Sequence, residues 1–167
     1  MNQRTGCGYS RRTHSNPARI LQIIFLVTTV MLCAPRVKAQ SSSDTPVGRW
    51  RTVSDVTGKE NGAVEIVENG GELLGRLIAG RNPATFPTEL CTKCPGDRHN
   101  KPMKGLLVIS GVRRNGDEWS GGEILDPDIG KIYRVKLRLN EGGKKLLVRG
   151  YIGFSLFGRT QTWTRME

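Results

Sequence analysis

The chain has 167 residues, 26 Lys and Arg against 15 Asp and Glu, a formal net charge of +11 and two histidines. That length sets one domain as the expectation. The basic excess is spread along the chain instead of forming a tract, which argues against nucleic-acid binding. One histidine in each half leaves little room for a His-based catalytic triad.

The amino terminus reads as a targeting segment. Arg4, Arg11, Arg12 and Arg19 precede an apolar run from Ile20 to Cys33, "ILQIIFLVTTVMLC", and no acid occurs before Asp44. Val37 and Ala39 stand at the minus-three and minus-one positions of a signal-peptidase site. The run falls short of the roughly 20 residues that a membrane span needs. The expectation is a signal peptide over residues 1–39, cleaved after Ala39, and a periplasmic or secreted protein, with an uncleaved anchor as the alternative. The "SRR" of Ser10–Arg12 stands too far from the run for a twin-arginine signal. Leu32 is too large to precede a lipoprotein cysteine at Cys33. Cleavage removes six basic groups and no acid, leaving 20 against 15, or +5, on 128 residues. That is enough chain for a domain with a real core. Cys7 and Cys33 leave with the signal peptide; Cys91 and Cys94 remain in an oxidising compartment.

Residues 40–46 are a polar, flexible lead, and residues 47–167 alternate short apolar runs with turn residues, without helical periodicity. The pattern predicts eight strands: Val47–Ser54, Ala63–Glu68, Leu73–Ala79, Leu106–Val112, Glu118–Leu125, Lys131–Leu139, Lys144–Ile152 and Arg159–Arg165. "ENGGE" at 68–72 and "RNGDE" at 114–118 carry the Asn-Gly step of tight hairpins. "DPDIGK" at 126–131 and "NEGGK" at 140–144 are further turns. Asp55, Asp126 and Asp128 have the chemistry of calcium ligands, but Asp is also a good turn former, and that reading is preferred. "KIYRVKLRL" alternates best: Tyr133, Val135, Leu137 and Leu139 share one face, and Arg134, Lys136 and Arg138 the other. The basic face reads as a solvated sheet surface, with polyanion binding as the alternative.

Eight sequential strands with one wet face resolve their edges by closing into a barrel. The expected fold class is therefore all-β, an antiparallel eight-stranded meander barrel. Such a barrel is just wide enough to be filled by side chains or to hold one small ligand. The expected interior is Trp50, Val64, Ile66, Leu73, Leu77, Leu106, Val108, Ile124, Tyr133, Val135, Leu137, Leu146, Val148 and Ile152. Gly75 and Gly150 share that face, where a glycine either bends a strand or leaves room.

Residues 80–105 form the longest stretch without strand character, long enough to cap a barrel mouth. It contains "CTKCPGDRH". Cys91 and Cys94 have three readings: a local disulfide, a redox pair, or metal ligands with Asp97 or His99. The compartment favours the disulfide. A reactive thiolate needs a helix N-terminus or neighbouring cations; Lys93, Arg98 and His99 are near, but Pro95-Gly96 does not look like a helix start and the βαβ setting of thioredoxin-type motifs is missing. A structural zinc site wants four Cys or His ligands where only three exist. His99 reads as a hydrogen-bonded loop residue. Lys93, Arg98, Lys101 and Lys104 are either an anionic head-group site or solubilising charge. Glu118 and Glu123 read as surface acids instead of a glycosidase pair. "GFSLFG" at 153–158 places Phe154, Leu156 and Phe157 before the last strand, as a portal, a membrane contact or a barrel plug.

Two resemblances sharpen the fold. Gly48-x-Trp50 in "VGRWRT" resembles the opening motif of lipocalin-type barrels, whose tryptophan plugs the closed end. In lipocalin-like proteins a late arginine packs over that tryptophan, which implies a Trp50–Arg165 pair. More specifically, "GRWRT", "DVTGK", "CTKCPGDRHNKPMKGL", "EWSGGEILDPDIGKIY" and "VRGYIGFSLFGRTQTWTR" resemble, in order, domain-of-unknown-function family 2147. That resemblance implies a small secreted or periplasmic bacterial protein with a lipocalin-like barrel; the family has no settled activity, so it supplies no catalytic residues to carry over. The expected function is non-enzymatic binding of a small apolar or amphipathic ligand, with no cofactor or metal. Trp50, Tyr133, Phe154 and Phe157 are the candidate ligand residues. The alternatives are an envelope interaction protein with a filled barrel, in contact with a membrane surface or other envelope component, and a redox or metal protein built on Cys91 and Cys94.

Overall fold

The structure is a computed structural model that describes residues 44–54, 57–154, 156 and 158–167. The expected signal peptide, residues 40–43 of the lead, Asp55 and Phe157 lie outside the described residues. Eight strands run β1 (Gly48–Val53), β2 (Glu60–Asn69), β3 (Glu72–Ala79), β4 (Leu107–Asn115), β5 (Glu118–Asp126), β6 (Lys131–Asn140), β7 (Lys145–Tyr151) and β8 (Gly158–Arg165). Each pairs antiparallel with its neighbour in sequence, and β8 pairs with β1, so the sheet closes into a barrel in meander order. Closure leaves no edge strand to template aggregation.

The register follows the alternation of apolar residues. On β6, Val135 and Leu137 are fully buried while Arg134 and Arg138 are exposed. Trp50 pairs with Val64 across β1 and β2, and Leu146 with Trp163 across β7 and β8. The pattern breaks where glycines permit it. Gly111 takes φ +73 at an irregularity in the β3–β4 register, and its freed N–H donates to the Glu72 carboxylate at 2.7 Å. β4 ends at Asn115, three residues past the expected end.

The meander places the β2–β3, β4–β5 and β6–β7 turns at one end with both chain termini of the domain, and that end is closed. Trp50, Ile66, Leu73, Val112, Leu137 and Leu146 fill it, each essentially inaccessible. Trp50 Nε1 donates to the Pro46 carbonyl at 2.7 Å. The Arg165 guanidinium lies 4.2 Å from the centre of the Trp50 ring. It donates to the carbonyls of Gly143 at 2.6 Å, Val47 at 2.8 Å and Thr45 at 2.7 Å. One cation thus ties the lead and the β6–β7 turn across the floor. Gly48 is part of the same device: it holds φ +134, and a Cβ there would stand 2.7 Å from Arg165 Nη1.

The interior departs from expectation at Ile152, and of the two readings for an inward glycine Gly75 fits the bend, standing at an irregularity in the β3–β4 register. β7 ends at Tyr151, and Gly153 turns the chain with φ +68, so Ile152 leaves the wall and is 65% exposed. Gly75 leaves no room, because a Cβ there would meet Ile109 Cβ at 2.9 Å. Trp119, Trp163, Ile109, Phe86 and Met103 join the core beyond the expected set.

Candidate functional site

The open end holds a cavity of about 500 Å3. Its walls are Val64, Leu77, Val108, Ile124 and Tyr133, with Trp163 towards the floor. Gly150 completes the wall between β6 and β8. A Cβ at Gly150 would make only ordinary contacts, 3.6 Å to Tyr133 Cβ and 3.8 Å to Ile124 Cγ2. This glycine therefore leaves real space, whereas Gly75 is packed over. Polar groups enter the upper wall: Thr52 Oγ1 donates to Asn61 Oδ1 at 2.8 Å, and Trp163 Nε1 donates to Gln161 Oε1 at 2.8 Å.

The β3–β4 connection roofs part of the mouth. Phe86 and Met103 drop from it into the cavity lining and are buried. The Phe86 ring covers Gly80 so closely that any side chain there would displace it. Cys91 and Cys94 form a disulfide with Cα atoms 5.4 Å apart, and both residues are buried. Around them Cys91 N–H donates to the Lys101 carbonyl and Asn100 N–H to the Cys91 carbonyl, each at 2.9 Å. The disulfide knot lies on the β5–β6 turn. Lys93 Nζ donates to the Asp128 carbonyl at 2.8 Å, and the Lys93 carbonyl sits against Gly130 where no Cβ fits. Buried sulfurs give thiol exchange no access, so the disulfide acts as a staple.

Two Arg–Asp pairs ring the mouth. Arg159 on β8 holds Asp126 at 3.0 Å, and Arg81 of the β3–β4 connection holds Asp128 at 2.7 Å. Both acids belong to the β5–β6 turn, so the pairs tie that turn to β8 and to the roof. Arg159 also stands 6.0 Å over the Tyr133 ring. The cavity is apolar below and charged at its lip, the gradient an amphiphile presents in reverse.

Of the candidate ligand residues, Tyr133 lines the cavity. Trp50 lies beneath it, sealed in the closed end. Phe154 points into solvent and is 80% exposed, and Phe157 lies outside the described residues. The basic residues of the long connection do not converge on one anion. Arg98 reaches Glu123 at 3.0 Å, Lys93 is spent on the β5–β6 turn, and Lys101 and Lys104 are exposed. His99 Nδ1 is 3.2 Å from the Cys94 carbonyl, a loop-fixing hydrogen bond. Glu118 is held by Lys136 at 2.8 Å. Among the described residues no group of three or more His, Cys, Asp or Glu is placed to hold a metal ion.

Arg159, Gln161 and Trp163 are site residues that the sequence reading missed, though the alternation on β8 that puts Arg165 inside puts them inside too. Phe86 and Met103 carry no comparable signal, since a long irregular loop has no periodicity to read.

A closed eight-stranded meander with a plugged floor and an apolar cup defines a lipocalin-like barrel. The chain belongs to the family DUF2147, described as an uncharacterized protein conserved in bacteria, whose model matches residues 48–165. Among solved structures it is similar to protein HP1028 from the human pathogen Helicobacter pylori, described as belonging to the lipocalin family. The two share 22% identity with a TM-score of 0.63, over 72% of this chain and 82% of that one. A mutant of the fluorescent protein UnaG overlaps with a TM-score of 0.41 at 16% identity, over 72% of this chain and 96% of that one. A comparison with curated proteins found no match.

Proposed function

We propose that the protein is a carrier that binds one small amphipathic molecule in the barrel, outside the cytoplasm and without chemical turnover. The cavity supports this reading. Its volume of about 500 Å3 suits one small molecule, and Gly150 keeps its wall open. The apolar part of the ligand lies along Val108, Ile124 and Trp163, and its polar end stays at the lip beside Arg81 and Arg159. The rim carboxylates of Asp126 and Asp128 are held by arginines, which suits them to bracing the mouth more than to acid–base work.

Titration with the amphiphile 8-anilinonaphthalene-1-sulfonate tests the reading. Energy transfer from Trp163 to a saturable single site is expected, with loss of that site in Gly150→Leu. Equal binding by both proteins, or no saturable site in either, would count against a calyx.

A further inference from the structure

The mouth also carries an apolar tip that the calyx does not use. On the β7–β8 connection Ile152 is 65%, Phe154 80% and Leu156 85% exposed, and none of them lines the cavity. Ile129, on the β5–β6 turn at the same end and at the lip of the cavity, is 47% exposed. The tip is fastened to the barrel: the Arg149 guanidinium donates to the Leu156 carbonyl at 3.3 Å and to Thr160 Oγ1 at 3.1 Å.

Positive charge stands beside it. Lys131 and Arg134 lie exposed on the mouth half of β6, and Arg134 is the register partner of Tyr151, the last residue before the tip. Their own partners across β5 are acids, Asp126 opposite Lys131 and Glu123 opposite Arg134. Both acids are already engaged, Asp126 by Arg159 and Glu123 by Arg98, each at 3.0 Å. Local charge on this wall is therefore positive.

We propose that the open end docks on the surface of an anionic lipid bilayer. Phe154, Leu156 and Ile152 enter the acyl boundary, and Lys131 and Arg134 rest on head-group phosphates. A stable protein partner or a second copy requires roughly 800 Å2 per side, which the three described apolar side chains of the tip do not supply. A bilayer sets no such threshold, because binding scales with whatever apolar area inserts plus the attraction of nearby cations. This inference goes beyond the carrier reading and does not depend on it. Where both hold, the mouth faces the membrane and an amphiphile passes between bilayer and calyx without crossing water.

The test uses the protein purified from its host in its processed form, with vesicles of phosphatidylcholine alone or mixed with phosphatidylglycerol. Binding is expected to the mixed vesicles and to fall with salt. Phe154→Ser with Leu156→Ser should lower the partition coefficient roughly tenfold or more, with unchanged thermal unfolding. Lys131→Gln with Arg134→Gln should lower it about fivefold per charge on mixed vesicles only. Phe154→Trp should shift its emission to the blue on mixed vesicles and be quenched by brominated lipid, which reports on the tip whatever the amino terminus does. Wild-type partitioning by the Ser double variant, or a Phe154→Trp signal indifferent to lipid, overturns the proposal. So does concentration-dependent self-association without lipid that the Ser variant abolishes, which would assign the tip to a second copy.

Discussion

Replacing Arg165 by Met removes the cation that seals the closed end while keeping an unbranched side chain over Trp50. Three carbonyls, of Thr45, Val47 and Gly143, then lose their donor. A hydrogen bond to a charged group contributes about 1.5–3 kcal/mol. Water reaches this partly exposed end, so about 1 kcal/mol each is the better figure. The contact with the Trp50 ring at 4.2 Å adds about 1 kcal/mol. The sum is about 4 kcal/mol, or roughly 12–20 °C in Tm for a domain of this size. Burial pulls the Arg165 pKa below its ordinary value, yet a guanidinium stays protonated, so the losses apply at every working pH. Arg165→Lys keeps the charge but not the fork, and should lose about half as much. Chemical and thermal unfolding of the three proteins give the comparison. A loss under about 1 kcal/mol for Arg165→Met, or a Lys variant as weak as the Met variant, would refute the reasoning.

Other perturbations separate structure from site. Gly48→Ala should destabilise measurably, since a φ of +134 strains any side chain and a Cβ 2.7 Å from Nη1 would push the guanidinium off the Val47 carbonyl; unfolding in denaturant measures it. Gly75→Ala should cost about 1–3 kcal/mol by overpacking against Ile109. Gly150→Ala, whose Cβ meets only ordinary contacts, should leave Tm within a few degrees. Cys91→Ser with Cys94→Ser opens a loop of only four residues, for which the closure term is about 2 kcal/mol. The barrel should stay folded while residues 80–105 become sensitive to protease, and an unchanged digestion pattern would deny the staple its role.

The barrel was legible because strand alternation is a local signal. "KIYRVKLRL" alone fixes which face of β6 is wet, and the Asn-Gly turns fix where neighbours reverse. Strand ends were legible to within a few residues, β2 starting three residues early at Glu60, β4 ending three late at Asn115 and β7 one early at Tyr151, where Gly153 turns the chain and leaves Ile152 exposed. The closed end was readable from Gly48, Trp50 and Arg165, although the reason for the glycine emerges only when Arg165 lies across it. The cup was harder. Its lining mixes Thr52, Asn61 and Gln161 with apolar residues, so an inward-facing stretch such as "RTQTWTR" looks like an exposed strand. Its roof is made by Phe86 and Met103, which reach the cavity through contacts distant in sequence. Gly75 and Gly150 look alike as letters, and the packing of Ile109 alone distinguishes the filled position from the open one.

The intact mass of the protein purified from its host without detergent, under non-denaturing and then denaturing conditions, addresses the carrier reading most directly. An added mass that vanishes on denaturation, and is missing from Gly150→Leu, is the predicted result. Bare polypeptide mass in both proteins under both conditions would contradict it.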